Sequence, residues 1–133
     1  MRALINIDVP ELNAATAFYV AAFGLEVTRR IGQDVVELSG LGANFYLLEK
    51  PEGSPALPGG RAPRSYVRHW TPVHLDLVVE DVEAARDRAI AAGATVERDV
   101  ADVAYGRIAM LADPFGHGFC LIEFRGRGYD EPG

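Results

Sequence analysis

The stretch INIDVPELNAA at residues 5–15 and the stretch LDLVVEDVEAA at residues 75–85 repeat one pattern 70 residues apart. Each contains alternating apolar side chains, then an acidic turn, then the start of an apolar stripe. The alternation is typical of a strand, and the three- and four-residue spacing of the stripe is typical of an amphipathic helix. Gly24 and Gly93 follow the stripes where a left-handed residue ends a helix, and Asp81 is placed to cap the second helix. The repeat predicts two copies of one unit.

Three strand-like runs follow each predicted helix, so each half reads β-α-β-β-β and the fold class is α+β. The runs are 25–31, 35–38 and 44–48 in the first half, and 95–98, 107–111 and 119–124 in the second. Residues 51–64 hold four prolines and three glycines, which predicts a linker or mobile flap, with a passive surface loop as the alternative. We expect a single domain with module one at 1–50, a linker at 51–64, module two at 65–126 and a tail at 127–133.

The composition and net charge of the chain exclude several classes of function. The chain has 133 residues, of which 49% are apolar and 24% charged, as in one ordinary globular domain. The net charge of −6 argues against nucleic acids and anionic membranes, which require a basic surface. No apolar run approaches the roughly 20 residues of a membrane span, and we see no signal peptide. The single cysteine, Cys120, excludes an intramolecular disulfide. We therefore expect a soluble, cytoplasmic protein.

Further motifs carry a resemblance to a known family. DPFG at 113–116 precedes an apolar strand ending in IEF at 122–124, the first helix contains FY at 18–19 and ends in FGL at 23–25, and HLDL at 74–77 opens the second module. In this order and spacing they resemble the vicinal oxygen chelate superfamily, which includes glyoxalase I, extradiol dioxygenases, and fosfomycin and bleomycin resistance proteins. The resemblance covers nearly the whole chain. It implies two βαβββ modules that form a cup-shaped mixed sheet with the helices outside and the ligand inside.

Strand alternation collects polar side chains on one face of the first strand of each module. The resemblance places that face inside the cup, where a few polar groups are typical of a ligand pocket. Trp70 is a candidate aromatic wall or interface anchor, and Tyr105 is expected at the rim. The predicted ligand-binding residues are Leu4, Asn6, Asp8, Tyr46, Trp70, His74, Asp76, Tyr105 and Cys120.

Metal-dependent members of the family use four ligand positions, on the first and last strands of each module. The resemblance assigns these positions to Leu4, Tyr46, His74 and Cys120, so His74 is the only family ligand retained. A leucine offers no donor, a neutral tyrosine is a poor ligand, and a catalytic zinc normally takes three protein ligands. We therefore predict no family metal centre and no cofactor.

A rearranged divalent-metal site for Zn, Ni, Fe or Mn is the alternative. It would join His74 to His69, Glu49 or Glu123, although strand alternation turns both glutamates away from the cup.

The sequence favours a protein that binds a small organic molecule without chemistry, as a bleomycin resistance protein does. The alternative is a glyoxalase-like lyase or isomerase, or a dioxygenase. It would depend on the rearranged metal site or be metal-free, with His74 as the catalytic residue and Asp76 beside it as support for a general base. Cys120 is a small buried residue in the simplest interpretation, and a nucleophile paired with His74 in another.

A third hypothesis is an interaction protein whose cup is filled by its own side chains, such as Leu4, Tyr46 and Trp70. Members of the family pair their modules within one chain or across two chains. We therefore expect a homodimer, and the sequence does not choose between the two pairings.

Overall fold

The computed structural model describes residues 1–132, and in them the β-α-β-β-β order occurs twice, confirming the α+β class. The chain divides into two compact units, one over residues 1–67 and one that begins at Arg68. The first unit contains β1 (Leu4–Val9), α1 (Leu12–Phe23), β2 (Glu26–Ile31), β3 (Val35–Ser39) and β4 (Asn44–Glu49). The second contains β5 (Leu75–Val78), α2 (Val82–Ala92), β6 (Thr95–Val103), β7 (Gly106–Ala112), β8 (Gly118–Phe124) and a short 3₁₀ helix, Gly128–Asp130.

Each unit folds as a four-stranded mixed sheet with the same topology. The strand orders are β1-β4-β3-β2 and β5-β8-β7-β6, and in each sheet the first and last strands of the module pair in parallel. The registers also correspond, since Ile5 lies opposite Phe45 and Leu75 lies opposite Phe119. The repeat in the sequence is therefore a repeat in the structure.

One face of each sheet packs against its helix. In the first unit the buried side chains of α1 meet an apolar sheet face, and the rings of Tyr19 and Phe45 lie 5.2 Å apart. Phe45 and Leu47 on β4 are fully buried there. Because side chains alternate along a strand, the residues between them point to the opposite face, which is where the predicted polar residues lie.

Glutamates at the ends of the last strands face the helices. Glu49 Oε2 accepts a hydrogen bond from the Leu12 backbone N–H at 2.8 Å, and Glu123 Oε1 accepts one from the Val82 N–H at 3.0 Å. Each carboxylate therefore satisfies an otherwise unpaired donor at the first turn of its module's helix. Asp81 caps α2 as predicted, because its side chain accepts from two backbone N–H groups of the first turn.

Strand β6 continues to Val103, five residues past its predicted end at residue 98. Its pairing with β7 shifts register between Val96 and Arg98 and again between Arg98 and Ala101. Such bulges break the two-residue alternation on which the prediction rested. At the start of β7, Gly106 has φ +151°, and a Cβ there would stand 2.0 Å from the carbonyl oxygen of Glu123, so the close strand approach requires glycine.

The proline-rich segment 51–64 has hydrogen bonds of its own. A β-bridge joins Pro55 to Pro63, and the Arg64 N–H donates to the Ser54 carbonyl at 2.7 Å. The Arg64 guanidinium reaches Asp8 on β1, with Nε 2.7 Å from Oδ2. This loop is therefore attached to the polar face of the first sheet. No helix among residues 1–132 is long and apolar enough to cross a membrane.

Candidate functional site

His74 and Asp76 lie on the face of the second sheet that points away from α2. They lie two positions apart along the chain, with Leu75 between them, so alternation directs both side chains to the same side. The Nε2 atom of His74 is 3.3 Å from Oδ1 of Asp76, and the two side chains are 38% and 40% exposed. A polar contact this exposed adds little to stability. The pair therefore places an imidazole and its carboxylate partner where a bound molecule can reach them.

Cys120 is a buried residue next to this pair. It lies directly opposite Asp76 in the parallel β5–β8 register and is 2% exposed. Burial, and secondarily the charge and hydrogen bonding of Asp76, raise the pKa of the Cys120 thiol to about 11. Since the thiolate is the nucleophilic form, this side chain is not an activated nucleophile at neutral pH. The interpretation of Cys120 as a buried small residue is confirmed.

Trp70 stands beside His74 and is held by three neighbours. Its ring meets the imidazole edge-on, with centroids 5.4 Å apart, and the Arg68 guanidinium lies 4.6 Å from the Trp70 ring centroid. The indole Nε1 donates to Glu97 at 2.7 Å, and Arg68 donates two hydrogen bonds of 2.6 Å to the same carboxylate. These Arg68 bonds lower the pKa of Glu97. A Cβ at Gly118 would stand 2.8 Å from the Trp70 ring, so the backbone also fits closely there. We call Arg68, Trp70, Glu97 and Gly118 the tryptophan clamp.

The polar face of the first sheet is organised around a residue that the sequence did not single out, Glu37 on β3. Its side chain is buried, and it accepts hydrogen bonds from the Tyr46 hydroxyl at 2.5 Å, from Thr28 at 3.0 Å and from Asn44 at 3.3 Å. The Tyr46 hydrogen bond is the main reason that the pKa of Glu37 is lowered. A carboxylate within the otherwise apolar run of β3 was the signal that could have identified it. Tyr46 is thus a phenol held by a buried carboxylate.

The remaining predicted residues of the first module lie along β1. Asp8 is engaged by Arg64, as described above, while Asn6 and Leu4 are exposed. The four family metal positions therefore do not fit a metal here. Leu4 supplies no donor atom, and the Tyr46 hydroxyl is already a donor to Glu37.

A different donor set exists within the second module. Among the described residues, one group brings three metal-binding side chains together, with its donor atoms all within 4.8 Å of one another: His74, Asp76 and Cys120. Of the partners suggested for a rearranged site, Glu49 and Glu123 accept hydrogen bonds from helix N-termini, and His69 is not part of this group. The third donor is Asp76, which the sequence indicated only as a neighbour of the histidine.

Tyr105 lies elsewhere on the second module. It sits in the turn between β6 and β7, and its ring packs against Tyr129 at 5.0 Å and Phe124 at 6.2 Å. Phe124 is four residues along β8 from Cys120, a separation of about 13 Å in a strand. The structure does not bring Tyr105 to the group around His74.

Comparisons with known proteins agree on the fold. A family model described as a glyoxalase-like domain matches residues 4–122. An uncharacterised protein of Mycobacterium bovis is 35% identical over 119 residues, which cover 87% of this chain and 78% of that protein.

Two solved structures share the architecture. A glyoxalase-related enzyme from Fulvimarina pelagi is 19% identical with a TM-score of 0.74, over 96% of this chain and 94% of that one. A mutant of the fosfomycin resistance protein FosX from Listeria monocytogenes, complexed with Mn(II) and a dihydroxypropylphosphonic acid, is 20% identical with a TM-score of 0.69, over 94% and 90% of the two chains. At these identities, the two structures establish a common fold.

Proposed function

Because this chain belongs to the glyoxalase-like domain family of the vicinal oxygen chelate superfamily, we propose that it binds a small organic molecule. Binding takes place without the four-ligand metal centre of metal-dependent members. In the second module the binding residues are Trp70, His74, Asp76 and Cys120. In the first module they are Leu4, Asn6, Asp8 and Tyr46. Tyr105, distant from His74, has at most a separate role at the end of β8.

The arrangement of side chains around His74 is the main support for this proposal. A half-exposed imidazole–carboxylate pair stands against an aromatic ring that the clamp fixes in place. An ordered aromatic wall with a few convergent polar groups is the usual composition of a small-molecule site. A fixed ring also loses little conformational entropy when a ligand packs against it.

A ligand screen tests the proposal. The chain is treated with a chelator and melted in the presence of fosfomycin, bleomycin and a broad library of small organic compounds. A ligand at 100 times its Kd stabilises the folded state by about 2.7 kcal/mol. For 133 residues the unfolding entropy is about 0.28 kcal/mol/K, so the melting temperature should rise by about 10 °C. A library in which no compound raises the melting temperature would count against binding.

An enzyme is the alternative function, and the His74–Asp76 contact favours it. The carboxylate orients the imidazole, which could then remove a proton from a carbon acid, as in a lyase or isomerase reaction. In that case His74→Ala abolishes turnover of a hemithioacetal or related substrate while the fold and the melting temperature are kept. Unchanged turnover in His74→Ala would exclude this role, and a dioxygenase would in addition consume oxygen.

The assembly and location also remain proposals. We propose a homodimer in the cytoplasm, as is common for proteins of this family. Sedimentation equilibrium at micromolar concentration would report two chains per particle, and a monomer at all concentrations would refute the dimer.

A further inference from the structure

We propose that the second module alone binds one thiophilic divalent cation, such as Zn²⁺, through His74, Asp76 and Cys120. This set takes both of its anionic donors and its imidazole from one sheet face, and Asp76 has no counterpart among the four family positions. The proposal is independent of the organic ligand, since it concerns atoms that the fold of the second module brings together.

The strand geometry brings the three donors together. His74 and Asp76 share a face two residues apart, and the parallel register sets Cys120 directly opposite Asp76. In a tetrahedral zinc site, bonds of about 2.0–2.1 Å to nitrogen and oxygen place those two atoms about 3.3–3.4 Å apart. The observed distance between His74 Nε2 and Asp76 Oδ1 is 3.3 Å.

The sulfur requires a small adjustment. All three donor atoms lie within 4.8 Å of one another, whereas bonds of about 2.3 Å to sulfur and 2.05 Å to nitrogen give a tetrahedral edge of about 3.6 Å. The histidine and aspartate side chains are both half-exposed, and the movement required toward the buried Cys120 is about 1 Å. A shift of this size is within the range of side-chain rotation.

The charges and donor types select the cation. A thiolate and a carboxylate neutralise a dication, and the imidazole completes the set without adding charge. A coordinating thiol is deprotonated outright, so the Cys120 proton passes to solvent when the cation binds. Sulfur and imidazole donors favour zinc and cobalt over magnesium and calcium. Three protein ligands leave a fourth position open, as in catalytic zinc sites.

Cobalt titration of the tag-free, chelator-treated chain tests the site. Because Cys120 is the only cysteine, a Co²⁺–thiolate charge-transfer band in the near ultraviolet reports on this residue alone. We expect the band to saturate at one equivalent, with quenching of the single tryptophan, Trp70, at the same stoichiometry. One equivalent of Zn²⁺ should then displace the cobalt and abolish the band.

Variants assign the ligands. Asp76→Asn and His74→Ala should weaken Co²⁺ binding by about 100-fold or more, the upper end of losses seen even for supporting residues, and Cys120→Ser should remove the band. His69 was a candidate partner of His74 from the sequence but is not among the three grouped donors, so His69→Ala is the matched control and should bind Co²⁺ like the parent chain. Absence of a band in the parent at tenfold excess of Co²⁺ overturns the proposal, as does an unchanged affinity in both Asp76→Asn and His74→Ala.

The design remains decisive in two further respects. If Cys120→Ser fails to fold because residue 120 is buried, the cobalt titrations of the parent chain, Asp76→Asn and His74→Ala still test the metal site. Organic ligands are screened in chelator, so a failed metal titration leaves the ligand proposal standing, and a failed screen leaves the metal proposal standing.

Discussion

Removal of the Glu49 side chain should loosen the start of α1. In the folded chain its Oε2 accepts from the Leu12 N–H at 2.8 Å, and its charge lies at the positive end of the helix. Loss of a capping acceptor costs about 1 kcal/mol and loss of the favourable charge about 0.5 kcal/mol. Glu49→Ala should therefore lower the free energy of unfolding by about 1.5 kcal/mol. With an unfolding entropy of about 0.28 kcal/mol/K for 133 residues, the melting temperature should fall by about 5 °C.

Two variants and a urea titration separate the causes. Glu49→Gln keeps an oxygen acceptor and loses only the charge, so it should lose about 0.5 kcal/mol. Glu26→Ala removes an exposed carboxylate from the edge strand β2 and should change stability by less than about 0.5 kcal/mol. If Glu49→Ala matches Glu26→Ala, then Glu49 is not committed to the helix, and our reason for excluding it as a metal ligand is wrong.

Three other perturbations follow from the same contacts. The hydrogen bond from the Val82 N–H is the main reason that the pKa of Glu123 is lowered in the folded chain. The ionised carboxylate therefore stabilises the fold at any pH above about 4.3, the ordinary pKa of a glutamate. This stabilisation is lost as the pH falls through the folded-state pKa. Melting temperatures from pH 7 to pH 3 should consequently fall less steeply for Glu123→Gln than for the parent. Gly106→Ala should destabilise the chain by about 3 kcal/mol or more in urea, because its Cβ would overlap the Glu123 carbonyl; a loss below about 1 kcal/mol would contradict that geometry. Gly118→Ala should displace the Trp70 ring and the Arg68 guanidinium, because its Cβ would stand 2.8 Å from the ring and 2.5 Å from the guanidinium nitrogen. The fluorescence emission of Trp70 should shift, and an unchanged spectrum would show that the clamp is loose.

The local features of the fold were predictable because short-range rules produce them. Alternation along β1 and β5 and the stripes of α1 and α2 indicated the modules, and Gly24 with φ +66° ends α1 as predicted. The bulges in β6 were not predictable, since they arise from pairing with β7 rather than from a pattern in the strand itself.

The candidate site was predictable only in part, for the same reason. Alternation put His74 and Asp76 on one face, but the distance to Cys120 depends on the register between β5 and β8. The contacts of Arg68 with Glu97, and of Arg64 with Asp8, join loops to strands across many residues. No periodic pattern in the sequence indicates such pairs, because only tertiary folding brings the two residues together.

Ligand-induced stabilisation in matched variants tests most directly whether the face around His74 is the binding site. A compound that raises the melting temperature of the chelator-treated parent is tested on His74→Ala, on Trp70→Phe and on the control His69→Ala. We predict a full rise in His69→Ala, a reduced rise in Trp70→Phe and little or none in His74→Ala, each compared with its own ligand-free melting temperature. A rise that survives unchanged in both His74→Ala and Trp70→Phe would place the ligand elsewhere and contradict the account.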